Sequence, residues 1–300
     1  MTGAANRASP QQAPTIDNAL SPAASVDLHL HTLISDGRWT PEELTDAVGA
    51  AGVDVCAVTD HDSIEAIAPV TRRGSALGIR VVPGIEFTAD FRGELLHLLA
   101  YNINPDHAQL SALLRDVQTR EHQRAWGLVE RMREQQIVQL SQEDVDQLAT
   151  EPRLTQAKLV RLLQELGYHE PAEYRPLLLR VMEAPFCTTA VEAIAEALRP
   201  QGCPLIVAHP GSGMPEYAPV IESLTHESML AMLELGLVDG LEVHHPRHTP
   251  EMRATYAEVA SSRGVLVSAG SDSHDTRNPP RPHPASWCRE LLTRVGITIA

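Results

Sequence analysis

The chain has 300 residues, 43% of them hydrophobic and 21% charged, and a formal net charge of -15. That balance describes an ordinary globular protein large enough for one barrel-sized domain, or a barrel with an insertion. The negative charge argues against coating duplex DNA or RNA, and no apolar run is long enough to predict a membrane span.

Residues 1–24, MTGAANRASPQQAPTIDNALSPAA, are small, polar and proline-containing. They read as a disordered leader without the apolar core of a secretory signal, which makes a cytoplasmic protein the expectation. Cys56, Cys187, Cys203 and Cys288 show no C-x-x-C spacing. Cys56 and Cys203 fall in or beside predicted buried strands and read as reduced core thiols.

The stretch Ser25 to Asp62 sets up everything that follows. It opens with a strand carrying His29 and His31 two residues apart, hence on one face and about 7 Å apart at their roots, where both can turn onto one metal ion. A pair of hydrogen-bonded core histidines is the competing view. Thr40, Pro41 and Glu43 spell a capping box and predict a helix that Gly52 ends, and Val53 to Thr59 reads as a buried strand. Strand, helix and strand make a βαβ unit.

Asp62 or Ser63 is the expected cap of the next helix, which Pro69 should interrupt, and Ile79 to Pro83 is a further strand. GIEFTADFRGELLHLLAY predicts two strands joined at Arg92 and Gly93. It embeds Glu86 and His97 in apolar runs, where an ionisable group needs a partner or a metal. From about Asn104 to Ala184 only helical spacing is seen, with the longest helix over Ala108 to Gln135. Arg120 and Arg124 lie along it, either as part of a solvated face or within reach of a substrate phosphate. Then βα alternation resumes: helix Thr189 to Leu198, strand Pro204 to Ala208, helix Met229 to Leu235, strand Gly240 to Val243, helix Pro250 to Ser261, strand Val265 to Ala269 and a last helix from Ser286 to Val295.

His29, His31, His61, Glu86, His97, His209, Asp272 and His274 all fall at or just past the carboxyl ends of predicted strands, and Asp36 follows in the first βα loop. That is the end of a parallel barrel where active sites assemble, and histidine with carboxylate is the donor set of zinc, manganese or iron. Any one of these residues is equally well a core histidine or a loop cap. Nine together predict a polynuclear metal site.

HLHTLISDG, VTDHD, GIEF, LLHLLAY, IVAHPG and GSDSH, in this order, resemble the PHP superfamily, the polymerase and histidinol phosphatase group of metal-dependent phosphoesterases. The resemblance covers Ser25 to Tyr101 and Cys187 to His274. The insertion before AHP is similar to the branch of nucleoside 3′,5′-bisphosphate phosphatases and a 5′-end exoribonuclease. It implies an α/β fold, a distorted, TIM-like (β/α)7 barrel over 25–103 and 187–300 with a helical insertion over 104–186. It further implies two or three divalent ions (Mn, Zn or Fe): one on His29, His31, Glu86 and Asp272; a second sharing Glu86 with His97 and His209; a third on Asp36, His61 and His274. Many relatives have histidine where this chain has Asp36. Asp27 and Asp60 are candidates for orienting ligand imidazoles, with simple capping or buried hydrogen bonding an equal alternative.

The chemistry implied is in-line attack of a metal-activated hydroxide on a terminal phosphate of a small anionic ester, a nucleotide or the end of a short single-stranded RNA. His245, next to a strand end and outside the ligand set, is the candidate proton donor and substrate contact; a rim histidine is the other reading. Arg38 is the candidate phosphate clamp. Amidohydrolases that bridge metals with a carboxylated lysine are excluded, because the only lysine, Lys158, lies in the insertion. Histidinol phosphate phosphatase and a metal-free interaction module are the alternatives.

Overall fold

The computed structural model describes residues 19–182, 186–212 and 222–300. Most of the expected leader, residues 1–18, and the end of the expected insertion, residues 183–185, lie outside the described residues. The leader expected over 1–24 ends early, since β1 (Ala19–Leu20) pairs in parallel with β12 (Thr298–Ile299).

The chain then follows β2 (Ser25–Asp27), α1 (Pro41–Ala50), β3 (Val55–Val58), α2 (Ile67–Leu77), β4 (Arg80–Phe91) and β5 (Glu94–Tyr101). The capping box is formed as read: Glu43 N–H donates to Thr40 Oγ1 at 3.1 Å and the Glu43 carboxylate accepts from Thr40 N–H at 2.8 Å. The start of α2 is a correction. Asp62 takes a left-handed conformation (φ 47°) and Ala66 precedes the helix without a side-chain cap. Pro69 sits in the first turn, where its missing N–H has no helical partner to lose, so it does not interrupt.

β4 runs unbroken through the expected gap at Pro83. The strand changes partner there, pairing with β3 over Arg80 to Pro83 and with β5 over Gly84 to Phe91. The hairpin turns at Arg92 and Gly93, both with positive φ.

The helical block comprises α3 (Ala108–Glu134), α4 (Gln142–Ala149), α5 (Gln156–Glu165) and α6 (Pro171–Val181). β6 (Thr189–Ala190) pairs with β4 where a helix start was expected, and α7 (Val191–Leu198) begins only after it. Then follow β7 (Leu205–Val207), β8 (Glu222–Ser223), α8 (His226–Glu234), β9 (Gly240–His244), α9 (Pro250–Arg263), β10 (Leu266–Ala269), β11 (His283–Pro284) and α10 (Arg289–Arg294). No helix among the described residues is long and apolar enough to cross a membrane.

One mixed sheet has the order β10-β9-β7-β5-β4-β3-β2-β11, with β6 on β4 and β8 on β5. It curls until its far strands meet: Leu28 N–H donates to Ala269 O at 3.0 Å, Asp272 N–H to His29 O at 2.9 Å and His31 N–H to Ser273 O at 3.0 Å. The result is a nearly closed, barrel-like α/β sheet. Strict alternation fails at β5, which is antiparallel to both β4 and β7.

Three apolar clusters hold the fold. One fills the barrel interior around Val26, Leu28, Val55, Leu99 and Tyr101, where Tyr101 Oη donates to Leu28 O at 2.9 Å. A second lies between the sheet and its helices. The third belongs to the helical block itself, from Ala125 and Leu128 to Leu178 and Val181. Helix α3 joins the last two, placing Leu110 and Leu114 against the sheet and its carboxyl-terminal half in the insertion.

Candidate metal centre

All nine predicted donors come together around Glu86, but not all from the strand ends expected: Glu86 lies within β4 and His97 within the antiparallel β5, while the others follow their strands. This carboxylate is buried on β4 and has imidazoles on both sides. Its Oε2 lies 3.0 Å from His29 Nε2, 3.1 Å from His31 Nε2 and 3.5 Å from His61 Nε2. Its Oε1 lies 3.1 Å from His97 Nδ1 and 3.2 Å from His209 Nε2. The two histidines of the opening motif, expected on the strand itself, follow β2, which ends at Asp27, and their ring centroids are 5.1 Å apart.

Asp272 Oδ1 approaches His29 Nε2 at 3.4 Å and His31 Nε2 at 3.3 Å from the far side of the barrel closure. Asp36 faces His274 Nε2 at 3.1 Å, His31 Nδ1 at 3.5 Å and His61 Nε2 at 3.8 Å. The ligating atoms of His31, Asp36, His61 and His274 all lie within 4.8 Å of one another, as do those of His29, His31 and Glu86, and of His61, Glu86 and His97.

The electrostatics fit cations. Both ring nitrogens of His31, His61 Nδ1 and His97 Nδ1 are buried without a hydrogen-bond partner, although carboxylate oxygens lie close by. Five imidazoles cannot be satisfied by one carboxylate with about four lone pairs. Burial pulls the His61 imidazole down to about 3 and the His209 imidazole down to about 4, against the pull of Glu86. Both are therefore neutral at pH 7, the form that ligates. Burial also works against His31, but Asp272 and Glu86 outweigh it and hold the ring up to about 10. Burial would push Glu86 up, yet the imidazoles around it, His29 foremost, hold it well below the usual carboxylate range. Against burial, the same carboxylates hold His29 well above the ordinary imidazole value, so His29 and His31 are the rings that balance the buried negative charge.

Glu242 escaped the sequence reading. It is fully buried on β9, accepts from His29 Nδ1 at 3.0 Å and takes the His209 backbone N–H at 2.8 Å. It performs the orienting task expected of Asp27 and Asp60. Asp27 instead accepts backbone N–H groups of Ser271 and Arg281, and Asp60 accepts from Thr32 and Ser35, so both brace loops and neither meets a ligand ring. The missed signal was an acidic residue inside the apolar run Gly240-Leu241-Glu242-Val243, the same signal that marked Glu86.

A cavity of about 430 Å³ opens over the cluster, roofed by the insertion. Arg38 lines it, with its guanidinium on Gln164 Oε1. Arg120 and Arg124 do not line it. Arg120 donates to the Asp116 carboxylate and Thr188 O, and Arg124 donates to Glu121 and Gln156, so neighbours on α3 and residues packed beside it take up both guanidinium groups. The insertion's contributions are Arg153, Arg161 and Arg175, joined from the barrel by Arg247 and Arg277. His245 is also placed differently from the expectation. It is 2% exposed and lines not this cavity but an adjoining one of about 410 Å³, with Arg247, Asp272 and His274. Its Nδ1 accepts the Arg247 N–H at 3.2 Å, leaving Nε2 to donate to Asp272 Oδ2 at 3.3 Å, so it steadies Asp272.

Neutral imidazoles and shared carboxylates beneath an arginine-walled cavity are the equipment of a hydrolase acting on phosphate esters. The chain belongs to the PHP domain family, whose model matches residues 27–182. It is 28% identical over 286 residues to the 5′-3′ exoribonuclease Rnm of Escherichia coli, covering 92% of each chain. It is also 28% identical over 260 residues to a phosphoribosyl 1,2-cyclic phosphate 1,2-diphosphodiesterase of Eggerthella lenta, covering 83% of this chain and 93% of the relative. Among solved structures, one described as a metal-dependent phosphoesterase of Bifidobacterium adolescentis superposes with a TM-score of 0.77 at 26% identity, over 92% of this chain and 98% of that one.

Proposed function

We propose that the protein removes a terminal phosphate, or a terminal nucleotide, from a small nucleotide ester or a short single-stranded RNA end, with two or three divalent ions held by the nine clustered donors. The observation that carries this is Glu86, a buried carboxylate ringed by five imidazoles at 3.0 to 3.5 Å under a cavity walled by arginines.

His29, His31, Glu86 and Asp272 would hold one ion, Glu86 with His97 and His209 a second, and Asp36, His61 and His274 a third. Manganese, zinc or iron suits this nitrogen and oxygen set. Such ions supply a nucleophile from water near neutral pH and neutralise phosphoryl oxygens. The chain's own residues do the rest. Glu242 accepts the His29 Nδ1 proton, leaving Nε2 free to ligate, and His245 Nε2–H fixes the outer oxygen of Asp272. Arg38, Arg247 and Arg277 line the route to the cluster, where a guanidinium fork suits a second phosphate.

The cavity volume suits one nucleotide-sized ligand and not a duplex. We also read the sheet as a distorted seven-unit (β/α) barrel, with β2, β3, β4, β5, β7, β9 and β10 as its staves. Four free thiols favour a reducing, cytoplasmic setting. An interaction module would have no use for buried, unpartnered imidazole nitrogens, which argues for catalysis.

The test is a phosphate-release and product screen with manganese, comparing 3′,5′-bisphosphonucleotides, mononucleotides, short 5′-phosphorylated RNA and histidinol phosphate, with and without chelator. Chelator-sensitive turnover of the nucleotide substrates is expected. Turnover of histidinol phosphate alone, or turnover indifferent to chelation, would refute the proposal.

A further inference from the structure

The nine donors are not held alike. Eight come from within strands or from the residues that follow them, whereas Asp36 comes from the loop between β2 and α1 and is the most exposed of the set, with a side chain 36% accessible. Packing alone does not fix such a side chain, so its position depends on how its backbone is anchored.

The anchoring comes from several directions. From the end of β3, Asp60 takes Thr32 N–H at 2.7 Å and Ser35 Oγ–H at 2.6 Å. Arg38 N–H donates to His274 O at 2.6 Å. Gly37 lies so close to its own strand that a Cβ there would stand 2.7 Å from the His31 carbonyl. The last anchor comes from outside the barrel. Arg161 on α5 donates to Leu33 O at 3.1 Å, Ser35 O at 3.0 Å and Gly37 O at 2.7 Å. Three alternate carbonyls of one loop converge on one guanidinium, and Asp36 lies between the second and third. On the same helix, Leu159, Leu162 and Leu163 are buried in the insertion's own core. Arg161 also lines the cavity.

We propose that Arg161 is a positioning residue: through the three carbonyls it sets the place of Asp36, and so the insertion governs occupancy of the third metal position. This rests on the metal reading above. A fork of five donors can serve three carbonyls at once, which a lysine ammonium on a flexible stem does less well. The insertion is then more than a roof, because a shift of α5 relative to the barrel moves a metal ligand.

The experiment measures manganese bound per chain by mass spectrometry and its affinity by electron paramagnetic resonance titration, for the wild type, Arg161→Met, Arg161→Lys, Asp36→Asn and the Arg161→Met/Asp36→Asn double variant. The wild type should bind three ions. Arg161→Met should weaken only the third, by about 10–100-fold, as loss of an outer partner of a ligand does. Arg161→Lys should recover part of that loss. On the Asp36→Asn background, Arg161→Met should change nothing further, because the two act as a unit.

An unchanged third site in Arg161→Met, equal weakening of all sites, or an added loss in the double variant overturns the positioning role. If Arg161→Met does not fold, Arg161→Lys decides alone, with selective weakening of the third site required. A wild-type chain that binds two ions and never a third removes the Arg161 role and leaves the hydrolase reading standing. One that binds none removes both.

Discussion

Replacing Glu242 by glutamine keeps the shape of the side chain and changes one proton. The carboxylate now takes two donors, His29 Nδ1–H at 3.0 Å and His209 N–H at 2.8 Å. The backbone N–H cannot be reversed, so the amide oxygen must stay on His209 and the amide NH2 must face His29. His29 Nδ1 then faces the NH2 at the 3.0 Å contact and keeps only a 3.2 Å approach to the oxygen already taken by His209, which favours moving the ring proton to Nε2, the nitrogen aimed at Glu86 and Asp272. Binding metal through Nε2 means restoring the proton to Nδ1 against a donor, at about 1–3 kcal/mol. That is about 10–100-fold in metal affinity, the range seen when an orienting partner is lost.

A second consequence concerns acid stability. Burial pushes the Glu242 carboxyl up, but His29 and His245 outweigh it and bring it down to about 2 from an ordinary 4.5. A depressed carboxyl stabilises the fold above its unfolded value, and that term, of about 3 kcal/mol, is lost as pH falls from 4.5 toward 2. Urea denaturation of metal-free protein across this window should show a steeper loss for the wild type than for Glu242→Gln. Manganese titration at pH 7 reads the affinity change. Equal affinity and parallel acid curves would refute the role given to Glu242.

Gly270→Ala places a Cβ 2.2 Å from His29 Cβ and 2.8 Å from His29 N, so the backbone at His29, just past β2, must shift. It should cost about 1–3 kcal/mol in urea denaturation and lower the metal content, and a variant as stable and as metal-rich as the wild type would contradict this packing. Tyr101→Phe leaves Leu28 O unpaired in the barrel interior. A loss of about 1–2 kcal/mol is expected, and unchanged stability would show that the bond is not made. Burial raises all four thiols, Cys56 and Cys288 most and Cys187 to about 11. Iodoacetamide at pH 8 should therefore reach half-buried, cavity-lining Cys187 first, and early labelling of Cys56 by mass spectrometry would refute that order.

The donors were legible in the sequence because each broke a local rule. An imidazole or carboxylate inside an apolar run carries a desolvation cost that only a partner or a metal removes, and several such violations, with Asp36 from the first βα loop, converge on one cluster around Glu86. The helix caps were legible for the opposite reason, since the capping box at Thr40 is satisfied within four residues. Partner exchange along β4 was not, because Pro83 reads as a stop until the strand is seen to trade β3 for β5 at that residue. For Arg120 and Arg124 the two readings stayed open, because periodicity places a residue on a helix face without saying what that face meets.

The sequence alone thus singled out the nine candidate donors that the fold gathers and the family the chain belongs to, because donor types and their order along the chain are local facts. Tertiary structure alone decided who orients whom. Glu242 reaches His29 across 213 residues, and Arg161 holds backbone carbonyls 124 to 128 residues away. A backbone carbonyl has no side chain to mark it in a sequence, and a glutamate on a strand declares its partner only once the sheet has curled and the helical insertion has come down on its rim.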